Sequence, residues 1–407
     1  MARVTPNAAP ALSAAATQAR ATRTRALLEA PIAPTLAKLA APNVLAMFVQ
    51  TVQSISEAYF ASLLGVTALA GLALAIVSAP WLIAVGAVAG GAWVWAAFLY
   101  MTLFTFGMDQ LIRAMDPPAD PTRELPAADG LSALLAILHF VLLALVIRGL
   151  ATGGFHPATW FALFVAAGLF FGQVSNSNAH ELIHRTRRPL FELGKWVYIS
   201  LLFGHHTSAH TKVHHRYAAS RQDPNSAREN EGFYAFSRRA WLGSFVEGYR
   251  AEKADLARRG TGGINPYATY CAGALAFVAA SAIVWGWAGL GAHLLLSWYA
   301  TTQLLLSDYV QHYGLTRANR ENGKLEPVGP QHSWNAGHWF SRHLMLNAPR
   351  HSDHHAHPSR PYPALAAHDD APTLPSTLPA MAALALFPKL WRRVMNPVLA
   401  RYKGRPA

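Results

Sequence analysis

The sequence predicts an all-α integral membrane protein of about six transmembrane helices, with a histidine-rich metal site on its cytoplasmic face. Three observations predict it. Of 407 residues, 52% are hydrophobic and 14% are charged, where an ordinary soluble domain carries about 25% charged residues. Apolar runs near the length that crosses a bilayer, about 20 residues, recur at 68–88, 91–111, 131–149, 158–178, 268–288 and 291–310. The histidines gather just beyond the ends of those runs, with seven of the 19 inside 178–217.

Along the chain, residues 1–30 are Ala-, Thr- and Arg-rich without an apolar core, and read as a disordered basic tail. Gln50, Gln53 and Glu57 interrupt the next apolar stretch. It is expected to lie on the bilayer surface rather than cross it. Gly90 and Gly91 mark a tight hairpin between the first two runs, and Pro117, Pro118 and Pro121 a loop before the third. Residues 191–203 are too short and too flanked by charge for a span, so a re-entrant or interfacial segment is expected. The stretch 206–265 reads as a basic loop. With Lys212, Arg216, Arg238, Arg239, Arg250 and Lys253, the positive-inside rule places it in the cytoplasm. The net charge of +13 is explained the same way. No aromatic-interleaved basic face is present, so no nucleic-acid partner is expected. The stretch 379–391 is about a dozen residues long and should lie against the bundle.

The histidine clusters share one face. The fourth run ends just before His180 and the sixth just before His312. In a helix, residues three or four apart point the same way. His180/His184, His210/His214 and His351/His354/His355 satisfy that spacing, and His215 and His312 complete nine candidate ligands. Nine is too many for one ion and suits two. His-Glu-x-x-His at 180–184 taken alone suggests zinc with Glu181 as base, but zinc needs three or four ligands. An all-histidine two-metal site suits iron better. Glu181, Asp308 and Asp353 lie near ligand candidates in sequence, and are expected to accept the second ring N–H of those histidines. The isolated His139, His156, His293 and His368 read as structural. The single cysteine, Cys271, excludes a thiolate iron–sulfur centre, which takes about four; any electron carrier must be a separate protein.

The motifs carry a resemblance. His180-Glu181-Leu182-Ile183-His184-Arg185, His210-x-x-x-His214-His215, Asp223-Pro224-Asn225-Ser226-Ala227-Arg228, His312-Tyr313-Gly314-Leu315, His332-Ser333-Trp334-Asn335 and His351-Ser352-Asp353-His354-His355-Ala356 resemble those of the membrane-bound alkane 1-monooxygenases. These belong to the fatty acid desaturase and hydroxylase superfamily, and the likeness covers 78–407. It implies a non-haem diiron centre ligated by the nine histidines, with dioxygen as co-substrate. It also implies electrons from rubredoxin and its reductase, and oxidation of an alkane or other apolar methyl group to a primary alcohol. The location implied is a bacterial-type inner membrane. The chain departs from the usual pattern at Ala209, Val213, Asp308, Gln311 and 374–379, but at none of the nine histidines. His205 and His206 fall outside the motif and read as structural. Trp93, Trp95, Phe98 and Tyr100 on the second run are expected as walls of a substrate channel. A fatty acyl desaturase or hydroxylase with the same centre is the alternative. A non-catalytic transporter fragment is a third reading, because residues 31–77 resemble the opening of a multidrug and toxin extrusion transporter. That likeness is far too short to imply transport.

Overall fold

Long apolar stretches in lipid must satisfy their backbone groups internally, so they fold as helices. The computed structural model describes residues 68–111, 126–260 and 262–404, together with Val44. The chain divides into units 1–56 and 57–407, and the elements below all belong to the second. The basic tail and most of the transporter-like stretch lie outside the described residues, and 68–77 of the latter open the first helix.

The first two helices are α1 (Ala68–Ala89) and α2 (Gly91–Leu111). Gly90 joins them with φ 67°, a left-handed conformation that costs glycine little. This is the expected hairpin. Helix α3 (Pro126–Thr152) packs on α1, and α4 (Pro157–Ile183) packs on α2. Helix α8 (Tyr267–His312) has 46 residues, roughly 70 Å if it were straight, more than twice a bilayer core. It breaks at Gly286, where φ is 65° and ψ −161°. His293 Nδ1 lies 2.9 Å from Ser281 Oγ, so the two halves run back beside each other. Gly91–Leu111, Ala128–Thr152, Pro157–Ile183 and Tyr267–His312 are long and apolar enough to cross a membrane. The six apolar runs of the sequence fall on α1 to α4 and the two halves of α8.

Small residues bring α4 against α8. A Cβ at Gly172 would come within 2.5 Å of Gln303 Cβ, and one at Gly168 would strike the Tyr299 ring. Such close approach is a common device for packing helices in lipid. The 191–203 stretch forms α5 (Arg188–Ser200), whose Leu190, Val197, Tyr198 and Ile199 are buried. The expected loop at 206–265 is largely helical instead. Segment 206–217 forms α6, and Phe233–Arg259 forms the 27-residue α7. Charge hid α7, because its buried side is a spaced set of aromatic and small residues: Phe233, Phe236, Ala240, Ser244 and Gly248. Two short helices follow, α9 (Trp339–Leu344) and α10 (His351–Ala356). The C-terminal stretch forms α11 (Leu378–Ala385) and α12 (Pro388–Lys403). Trp391 of α12 is fully buried against Tyr309 and Tyr313, so this end seals the histidine face of the bundle.

Candidate metal centre

Four segments deliver the nine histidines. Helix α4 passes through a π-helical turn at Phe170–Ser175, then carries His180 on its last α-helical stretch and His184 at its C-cap. Helix α6 carries His210, His214 and His215 across a second π turn, His210–His214. His312 is the last residue of α8, and α10 supplies His351, His354 and His355.

The nine fall into two groups, five and four. His180, His184, His210, His215 and His354 form one; His214, His312, His351 and His355 form the other. Within each, the ligand nitrogens lie within 4.8 Å of one another. Straight α-helical spacing pairs His210 with His214. A π turn closes i to i+5 instead, and His210 Nε2 lies 2.9 Å from His215 Nε2. His214 is thereby turned into the second group. In α10, His351 and His355 stay together at 3.0 Å, while His354 reaches back to His215 at 3.0 Å.

The arrangement fits cations. His210 Nε2 faces both His180 Nε2 (2.7 Å) and His215 Nε2 (2.9 Å). His351 Nε2 faces both His312 and His355 at 3.0 Å. A neutral ring nitrogen carries either one proton or one lone pair, so it cannot satisfy two like nitrogens. Two nitrogens about 2.1 Å from one ion and ~90° apart lie about 3.0 Å from each other. The Nε2 atoms of His184 and His214 are buried and unpartnered, which a metal would also explain.

Electrostatics keep most of these rings ready to bind. Burial first, and then the neighbouring imidazoles, push His210, His215, His351, His354 and His355 well below the ordinary histidine range. Burial and Arg185 bring His184 down to about 4. Neutral imidazole is the ligand form. His214 differs. Burial opposes its charge, but Asp223 beside it wins and its pKa is raised.

Asp223 was not foreseen. Its Oδ2 accepts from His214 Nδ1 at 2.9 Å and from Ser226 Oγ at 2.7 Å, while Oδ1 accepts from the Asn225 amide at 3.0 Å. Holding Nδ1–H fixes the tautomer that presents Nε2 to the second group. Burial alone would raise its carboxyl; His214, Ser226 and Asn225 together hold it below the usual carboxylate range. Its only sequence signal was membership of the 223–228 motif.

The three carboxylates expected in this part bind elsewhere. Glu181 accepts from Arg185 and from the Tyr362 amide. Asp308 accepts from Asn225 Nδ2 at 2.6 Å. Asp353 accepts from Arg360, from His357 Nδ1, from His368 Nε2 at 2.8 Å and from the Ala366 amide at 2.9 Å. Among the described residues, none of the three accepts from a candidate ligand. Each ties its helix to a neighbouring loop instead, and Asp308 also lines the cavity beside His180 and His210. The 332–335 motif does similar work. Trp334 Nε1 donates to the Tyr313 carbonyl, and Asn335 bonds Ser352 at both its side chain and its amide. This fixes α10 against the end of α8.

The isolated histidines have structural partners. His139 meets Ser200 Oγ, His293 meets the Ser200 carbonyl, His156 caps α4, and His368 holds Asp353. His205 meets Ser244. His206 lines the cavity described next.

One cavity reaches both groups, touching His180, His210 and His351. Its walls come mainly from α4, α8 and α11, with Gly172, Gln173, Leu304 and Leu378 among them, and from Met345 at the end of α9. The expected channel walls lie elsewhere. Trp93 packs edge-on to Trp81, Trp95 packs on Phe98, and Tyr100 is buried against Phe104 and Phe340. Helix α2 packs on α1 and α4, and none of these four side chains lines the cavity.

The sequence model of the Fatty acid desaturase family matches residues 155–384. The chain belongs to this family. The match takes in all nine histidines, the 223–228 motif and both walls of the α4–α8 cavity. Alkane 1-monooxygenase 2 of Alcanivorax borkumensis is 34% identical over 59% of this chain and 64% of its own length. Alkane 1-monooxygenases 1 and 2 of Pseudomonas aeruginosa are 31% and 29% identical, over 76% and 77% of this chain and 85% and 86% of their own lengths. The likeness of 31–77 to an extrusion transporter finds no support among these relatives. Oxidative chemistry at a histidine-rich membrane site follows from the family and its alkane 1-monooxygenase relatives.

Proposed function

We propose that this chain hydroxylates the terminal methyl of an alkane, or of another apolar chain, to a primary alcohol. The observation that carries the reading is the division of nine histidines into adjoining groups of five and four at one end of a membrane-embedded cavity. Two iron ions, which these histidines would hold, would supply dioxygen activation: two electrons from a carrier and two from the C–H bond, with two protons, put one oxygen atom into the alcohol and release the other as water. The histidines bind and hold the pair, and Asp223 orients His214. Leu304, Met345 and Leu378 offer apolar surface to a substrate without a polar handle. Burial beneath α11 and α12 limits water at the site. The two electrons come from a separate carrier, for which rubredoxin and its reductase are the candidates, since Cys271 is the single cysteine. The site faces the cytoplasm of a bacterial-type inner membrane, as the arginines of 206–265 favour.

The test is product analysis. Purified chain reconstituted with iron, rubredoxin, rubredoxin reductase, NADH and a medium-chain alkane should release the 1-alcohol and contain about two iron ions. An unsaturated acyl product would move the assignment to a desaturase. One zinc ion with negligible iron would sink it, as would full turnover without an added carrier protein.

A further inference from the structure

Helix α7 packs on both ends of α8. Phe233 and Phe236 pack on Tyr309, and Phe245 and Tyr249 pack on Tyr267. Tyr309 and Tyr267 stand at the histidine-side ends of the two halves of α8. Beside this buried side, α7 exposes Tyr234, Arg238, Trp241 and Leu242, with the outer edges of Phe245 and Tyr249 continuing the same stripe. The spacings of 4, 3, 1, 3 and 4 put them on one face, the pattern of a helix lying in the headgroup region.

Beneath that face a groove runs between α7 and the second half of α8, closed at one end by Leu201 and Leu202. Its floor is hydrocarbon-like. Leu294 is 44% exposed and Trp298 64% exposed, so the groove is continuous with the apolar surface that α8 turns to lipid. Two polar features break this surface. Arg238 is exposed and has no acidic partner among the described residues. Ser297 is 2% exposed, lines the groove, and its hydroxyl has no hydrogen-bond partner. Two of the other hydroxyls are engaged, Thr302 with the Trp298 carbonyl and Ser237 with the Tyr234 carbonyl, and that of Thr301 is only half-buried. The groove therefore offers one cation at its mouth and one buried hydroxyl donor deeper in, above an apolar floor.

We propose that this groove binds one anionic phospholipid, with its phosphate on Arg238, a glycerol-ester carbonyl on Ser297 and an acyl chain along Leu294 and Trp298. A diacyl phospholipid presents acceptors in that order of depth, phosphate outside and ester carbonyls inside. Guanidinium pairs with phosphate oxygens through parallel N–H bonds, and basic groups at this level attract anionic headgroups. The site is separate from the histidines and from the α4–α8 cavity.

Native mass spectrometry of the full chain in non-ionic detergent tests it, with phosphatidylglycerol and phosphatidylcholine of matched acyl chains. One phosphatidylglycerol should stay bound under conditions that strip phosphatidylcholine. Arg238→Gln should weaken phosphatidylglycerol retention by about tenfold and abolish the preference between the two lipids. Ser297→Ala should weaken both lipids alike, because both carry the ester carbonyls. Arg393→Gln, an exposed arginine on α12, should change nothing. Equal retention of the two lipids by the unsubstituted chain would overturn the proposal, and so would an undiminished preference in Arg238→Gln.

Discussion

The nine histidines are not equivalent, because the groups are unequal. Losing His312 leaves three in the group of four, whereas losing His184 leaves four in the group of five. His312→Ala should therefore cost more metal and more activity than His184→Ala, both exceeding the roughly 10–100-fold typical of a group that only orients a ligand. Iron content per chain, measured beside activity, checks the ranking. Equal losses would argue against the division into five and four. Asp223→Asn belongs to the orienting class. It keeps the shape but removes the carboxylate that fixes His214, so a loss of about 10–100-fold in metal affinity or activity is expected, with the fold retained by circular dichroism. Acid should act on the histidines collectively. Apart from His214, whose pKa Asp223 raises, those outside the spans, such as His210, His215, His354 and His355, have depressed folded pKa values, so as pH falls through the ordinary value, about 6.5, the unfolded chain takes up protons that the fold refuses. Stability and metal retention should be complete above that pH and decline below it. A thermal melt of the metal-free protein across pH 5 to 8 (roughly the range of histidine titration) would show it; a melting temperature flat through this window would contradict the burial argument.

Elements show what the sequence could and could not reveal. The helices were legible wherever a period or an apolar length was the signal, and all nine histidines come together at one end of the bundle. What was not legible was the distribution between groups. Spacing rules assume 3.6 residues per turn, and the π turn at His210–His214 breaks that assumption without changing any residue type. Helix α7 was hidden because its charge resembles that of a loop. Asp223 was hidden because it meets His214 through a turn rather than along a helix face. The four aromatic residues of α2 do not line the cavity beside the histidines: an aromatic run shows that a helix sits in lipid, not which helix walls that cavity. A deletion probes the π turn directly. Removing Thr211 should convert it to an ordinary α-turn in which His215 falls at α-helical spacing from His210, while His214, now three residues after His210, is shifted from its place in the second group. At least half the iron should be lost, with helix content nearly unchanged. Full iron content would show that the turn is incidental.

At the scale of the molecule, the described site sits wholly within the second unit. All nine histidines, Asp223 and the cavity walls lie between Gly172 and Ala382. A chain beginning near Val66 should therefore insert, bind iron and hydroxylate. Iron content and alcohol formation by the truncated protein check this together. Full iron without activity would give the removed stretch a part in catalysis or substrate entry.

The order in which the chain supplies its histidines has a consequence for biogenesis. Each group joins residues far apart in the chain, the first from His180 to His354 and the second from His214 to His355. During synthesis, neither group can be completed until α10 has emerged, by which point every membrane helix has already been made. Metal loading is therefore a late event imposed on an inserted bundle, not a nucleus around which it folds. Once bound, each ion closes a very long loop, and the entropy of that closure rises only with the logarithm of its length. Two ions held as proposed would thus act as cross-links between α4, α6, α8 and α10, and a cell short of iron would accumulate an assembled but unlocked protein.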